Sequence, residues 1–274
     1  MMFNPVLLAL AAGAGALGTL IGGMEAFILY GFVLIVQTVL ASAGHDMTFY
    51  NTYLANLMFV PCIMFNGAVP ATAFASKRYD IRAWDTDRSL AFTHDPAVLL
   101  VGALTGAFGY LGLTYLSAKS FPGDAGACMV VTVGVISRLI WHNRRWYNRD
   151  AVRVLSDPKR WVWDLSLAAL GAAVTAFFAV KTGINTVGFM MSAALLILQL
   201  FPRTDTFPTT HQITMAAGYA AVFTGNIWIG VLFGVLAQVI FMVFGGFFNM
   251  GNGALIDPPA VAILTCSLLV NLLF

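Results

Sequence analysis

Charge is scarce in this chain. Only 9% of its 274 residues are Asp, Glu, Lys or Arg, against about 25% in soluble domains. That excludes a soluble globular protein of this length. The longest polar stretch, "HNRRWYNRDAVRVLSDPKRW" at 142–161, leaves no room for a soluble domain of useful size. Cysteine is nearly absent too. Cys62, Cys128 and Cys266 are isolated in apolar segments, which excludes a disulfide framework and a thiolate metal site. The motifs of enzymes are missing: there is no HExxH, GxSxG or CxxC, and no Walker A sequence to hold ATP. The four histidines, His45, His94, His142 and His211, have no metal-ligand spacing. No cofactor, metal or nucleic-acid partner is therefore expected, and no catalysis. The opening "MMFNP" lacks a basic n-region, so no cleaved signal peptide is expected.

What is abundant is apolar residue, 59% of the chain. Runs of transmembrane length recur along it. The pattern predicts an all-α polytopic membrane protein of about ten helices, over residues 5–23 (A), 26–43 (B), 49–75 (C), 97–118 (D), 125–141 (E), 162–180 (A′), 184–201 (B′), 208–224 (C′), 227–248 (D′) and 257–274 (E′). Asn4-Pro5, Asp95-Pro96 and Asp257-Pro258 each place a capping side chain before a first-turn proline.

The primes mark an internal echo. "LIVQ" at 34–37 in B matches "LILQ" at 196–199 in B′. Gly13-Ala14 matches Gly171-Ala172, and Thr48-Phe49 matches Thr206-Phe207. Phe65-x-Gly67 matches Phe223-x-Gly225, and Gly102-x-Leu104-x-Gly106 matches Gly230-x-Leu232-x-Gly234. The order is collinear. The organisation is thus a first repeat at 1–141, with an insertion at about 76–94, a basic linker at 142–161, and a second repeat at 162–274. If every segment crosses once, twelve of the fourteen basic residues fall on one side and only Lys119 and Lys181 on the other. By the positive-inside rule both termini are then non-cytoplasmic, in a cell inner or plasma membrane. Five crossings per half also make the repeats inverted.

In such folds, interrupted segments in corresponding places mark a binding site. The expected breaks are "FNGAVP" in C and "FTGNIW" in C′, against a competing reading of a simple kink in C and a tight turn between C′ and D′. They nominate Asn66, Gly67, Gly225 and Asn226 as solute-binding residues, beside the paired amides Gln37 and Gln199. Interhelical glue is the competing reading of the glutamines. Glu25, Asp257, Asp164 and His211 are candidates for ion coupling, though a solvated turn suits Glu25 and a helix cap suits Asp257. The Gly-x-x-x-Gly pairs of D and D′ read as packing surfaces on which those two helices meet. The function this supports is a transporter or channel for a small polar or ionic solute, between two inverted repeats with a broken or kinked third helix in each. Its partners are the lipid bilayer, the solute and, in a homo-oligomer, further copies of the chain. A non-catalytic membrane subunit is the alternative, and a membrane enzyme the third reading.

Overall fold

The computed structural model describes residues 4–142, 146, 155–249 and 253–274, and over them the chain is helix and turn without a strand. Four stretches among these are long and apolar enough to cross a membrane: Gly23–Ser42, Pro96–Ala118, Pro158–Thr182 and Ile227–Asn249. The chain forms two compact units. Unit 1 holds Met1–Phe121, Met129–Arg145 and Gly251–Ile256; unit 2 holds Pro122–Cys128, Trp146–Met250 and Asp257–Phe274.

Unit 1 begins with α1 (Pro5–Ile21), where the Asn4 side chain accepts from the N–H groups of Val6 and Leu7. Next comes α2 (Gly23–Ser42). The predicted segment C is two pieces here, a π-helical stretch at Tyr50–Met58 and α3 (Met64–Ala75). Pro61 lies between them. It lacks an N–H and disfavours helical backbone at Val60, so the helix breaks there. The helices α4 (Pro96–Ala118) and α5 (Ala125–Trp141) follow. The insertion before α4 is docked, not loose. Leu90 is buried among Ala71, Ala75 and Val98. Leu90 N–H and the Ser89 hydroxyl donate to Thr19 O and Leu20 O at 2.9 and 2.6 Å, satisfying carbonyls that the end of α1 leaves without helical partners. Asp95 caps α4 through Ala97 N–H and pairs with Arg78 at 2.9 Å. The Ala97 N–H, ahead of Arg78 and Tyr79, holds its carboxyl below the usual carboxylate range.

The core of unit 1 is a knot of helix backbones. A Cβ on Gly15 would collide with Gly102 O, one on Gly67 with Gly15 O, and one on Gly106 with Ala11 O. The expectation for the α4 glycines is thereby corrected: Gly102 and Gly106 face α1 in their own unit. The large side chains of α4 point the other way, with Leu100, Leu104 and Tyr115 more than half exposed. Small residues inside and large apolar ones outside are the arrangement lipid favours, because backbones that approach closely gain van der Waals contact there.

Unit 2 contains α6 (Pro158–Thr182), α7 (Val187–Leu195) with a 3₁₀ tail at Leu196–Leu200, α8 (His211–Thr224), α9 (Ile227–Phe244) with a π-helical tail at Gly245–Asn249, and α10 (Pro258–Leu273). Most of the predicted 142–161 linker lies outside the described residues, and α6 starts within it at Pro158. Ala168, Ala172, Ile213 and Ala217 form one buried cluster between α6 and α8. Gly230 and Gly234 of α9 lie against Ala176 and Ala172. Of the two readings for C′ the tight turn holds and the break does not, since α8 runs unbroken to Thr224. Gly225 then closes it at φ 67°, and Asn226 caps α9 through Trp228 N–H at 2.9 Å. Gly67 and Gly225 therefore do different work, one a close approach in mid-helix and the other a helix end.

Candidate functional site in unit 2

The repeated glutamines resolve first. Gln37 donates to Asn51 Oδ1 at 2.6 Å, within unit 1. Gln199 donates to Phe207 O at 2.6 Å and to Thr209 Oγ1 at 3.3 Å, within unit 2. Each amide ties the second helix of its half to the segment leading into the third, so the four-letter echo reports equivalent tethers. Gln37→Leu is accordingly expected to lower stability by about 0.6 kcal/mol, the mean for such bonds in membrane proteins, read as a small fall in melting temperature in detergent.

Gln199 does more than Gln37, because its partner Thr209 is shared. Thr209 O accepts from Gln212 Nε2 at 2.9 Å, and the same nitrogen donates to Gln238 Oε1 at 2.8 Å. Three of the chain's four glutamines thus form one chain, Gln199–Thr209–Gln212–Gln238. Thr209 O is an acceptor only, which fixes the Gln212 amide with nitrogen toward it. Gln212 Oε1 is left buried with no partner, in a residue with 0% exposure. Leaving such an acceptor unsatisfied costs about 1–3 kcal/mol. The amide folds back over the start of α8, where Thr210 makes no side-chain cap.

Further polar groups line the same face of α8. Residues 212, 215, 216 and 219 fall on one stripe of a helix with 3.6 residues per turn. Met215, Ala216 and Tyr219 border a small crevice completed by Asp124, Ile263 and Ser267. Asp124 N–H donates to Ser267 Oγ at 2.8 Å, and Asn271 Nδ2 donates to Tyr219 Oη at 2.7 Å. Asp124 is half-buried, its Oδ1 accepts from Ala127 N–H at 2.7 Å as the cap of α5, and burial pushes its carboxyl above the usual range. Polar side chains therefore stand at both ends of about 10 Å of α8.

The other nominated residues lie elsewhere. Asn66 is fully buried in unit 1, donating to Cys62 O at 3.1 Å and Met129 O at 3.2 Å, while its Oδ1 has no partner. Asn226 is an exposed cap. Glu25 sits in the first turn of α2, not a solvated turn, and its Oε2 is buried without a hydrogen bond. Asp257 caps α10 through Ala260 N–H at 2.9 Å. Asp164 pairs with Arg160 at 3.6 Å. His211 opens α8 with its ring edge-on to Phe189. Among the described residues no three His, Cys, Asp or Glu are grouped to hold a metal ion.

Gln212, Gln238, Asp124 and Tyr219 escaped the sequence reading. Gln238 carries the same signal as Gln37, an amide within an apolar run, but it has no echo in the other half. One more residue differs from expectation. Arg138 is a charge of the cytoplasmic face by sequence, yet it has 0% exposure and donates through Nε at 2.9 Å, and through Nη2, to Ala254 O.

Over residues 1–144 and 149–274 the chain matches the model of a family described as a family of unknown function, DUF7973. No curated protein matches it, and no solved structure does.

Proposed function

Because the chain belongs to DUF7973, a family of unknown function, its own side chains carry the reading, and we propose that it is an integral membrane transporter or channel that moves a small polar or ionic solute past the polar face of α8. The carrying observation is the buried acceptor Gln212 Oε1 within the chain Gln199–Thr209–Gln212–Gln238. An amide with one end open offers a passing solute a hydrogen bond without any change in protonation.

We infer also that the two halves are inverted repeats. The collinear echoes support this, and so does the packing of each unit. In unit 1, α1 packs with α3 and α4; in unit 2, α6 packs with α8 and α9. The fifth helix of each half starts from an aspartate that caps the N–H three residues on, Asp124 to Ala127 and Asp257 to Ala260. The charge split then puts both termini outside the cytoplasm. Tags at Met1 and Phe274 should be reached only from outside intact cells, and a cysteine replacing Asp150 should label only from the cytoplasm. Termini on opposite faces would remove the inversion.

Transport is tested with the purified protein in vesicles and isotope-labelled urea, glycerol, glycine, lactate and nitrate. At least one should enter about tenfold faster than into protein-free vesicles, and Gln212→Leu should lower that rate by about tenfold, or 1.4 kcal/mol, in protein that remains folded. Entry no faster than into protein-free vesicles for all five would remove the proposal.

A further inference from the structure

We propose that the solute is an uncharged molecule carrying N–H or O–H donors, taken by two amide oxygens, Asn66 Oδ1 in unit 1 and Gln212 Oε1 in unit 2. The inference rests on the transport reading above and adds to it a second binding residue and the class of solute. Among the described residues these are the amide oxygens buried with no hydrogen-bond partner, and both side chains have 0% exposure.

The same arrangement holds each of them. Asn66 is the third residue of α3 and Gln212 the second of α8. Each sends its amide nitrogen back to a carbonyl just ahead of its own helix, Cys62 O at 3.1 Å and Thr209 O at 2.9 Å. Each nitrogen also reaches a second helix, at Met129 O of α5 (3.2 Å) and Gln238 Oε1 of α9 (2.8 Å). Backbone carbonyls only accept, so turning either amide over would set oxygen against oxygen. With both N–H groups of each amide engaged, only acceptor capacity is left. The echo between the halves sets Asn66 opposite Thr224, not opposite Gln212, so the arrangement occurs twice without being part of that echo.

An acceptor selects by what approaches it. A molecule with donors satisfies the oxygen, whereas nitrate, which has only acceptors, leaves it unsatisfied. Charge is selected against as well. The helices α1, α3, α4, α8 and α9 contain no Asp, Glu, Lys or Arg. The charge on α5 is Arg138, nine residues from Met129 and about 14 Å along the helix, and its guanidinium is committed to Ala254 O. His211, beside Gln212 in sequence, has its ring edge-on to Phe189. Asp124, which borders the crevice along α8, is itself an acid and offers an anion nothing. An ion stripped of water at either oxygen would find no countercharge on these helices, a cost that a neutral solute does not meet.

Uptake into vesicles of the wild-type protein tests this across urea, glycerol, glycine, lactate and nitrate. Urea or glycerol should enter about tenfold faster than into protein-free vesicles, and glycine, lactate and nitrate at the protein-free rate. Acceleration of any of these last three to that extent would overturn the inference and leave the transport reading standing. No acceleration of any of the five would retire the transport reading and the inference with it. Asn66→Leu, close to asparagine in shape, should lower the urea or glycerol rate per folded molecule by about tenfold, as expected of Gln212→Leu. An unchanged rate would show that Asn66 only braces α3 against α5, and would overturn its role as a binding residue. Where the leucine variant does not fold, Asn66→Ala carries the same expectation, and the series of solutes decides the class without any variant.

Discussion

Gly106→Leu is expected to abolish the folded protein, and Gly13→Leu to leave it intact. Both glycines sit in apolar helices of unit 1, and nothing in composition separates them. Their surroundings do. A Cβ at Gly106 would overlap the Ala11 carbonyl oxygen and crowd the backbone of Gly15, whereas at Gly13 nothing lies within 4 Å. Backbone atoms of two packed helices cannot turn aside as a side chain can, so α1 and α4 must separate. That separation also opens α3, because Gly67 lies against Gly15 O. Overpacking typically costs about 1–3 kcal/mol, and a collision with backbone belongs at or above the top of that range. Gly13→Leu should stay within about 0.5 kcal/mol, as changes at open surface positions do. Size-exclusion profiles and melting curves of both variants in detergent decide it. A folded Gly106→Leu with the wild-type melting temperature would mean that α1 and α4 are not in backbone contact.

Arg138→Met should cost about 2–3 kcal/mol, at the upper end for hydrogen bonds to a charged group. Methionine keeps much of the volume and the apolar stem, so the loss reports the guanidinium. Its removal strips donors from the Ala254 carbonyl, which two of its nitrogens share. Arg138→Lys should not rescue. A lysine ammonium lacks the planar fork and would remain a buried charge with fewer bonds. Chemical-denaturant titration in detergent checks both, and a lysine variant as stable as the wild type would show that charge alone suffices.

Most helix boundaries were legible in the sequence because their signals are local. Asp95-Pro96 and Asp257-Pro258 start helices where expected, and residues 125–141 form α5 as predicted. The Phe-x-Gly echo misled for a physical reason. A glycine permits both a close backbone approach and a left-handed turn, and only tertiary context chooses between them. Gly67 took the first and Gly225 the second. The site was less legible. Gln212, Gln238 and Asp124 come from three separate segments, and no spacing announces that α8 gathers them. Arg138 was hidden by its neighbourhood, since it stands close to a basic stretch and reads as one more surface charge.

The division of α5 has a consequence for synthesis. Its first turn belongs to unit 2 and the rest to unit 1, and unit 1 also takes Gly251–Ile256. The acceptor for Arg138, Ala254 O, lies 116 residues further along the chain. Unit 1 therefore cannot complete its Arg138–Ala254 contact until the ribosome has added α6 to α9. Two separately expressed halves, divided after Arg145, would each lack a piece of the chain on which their own packing depends, and they should persist in the membrane only when made together.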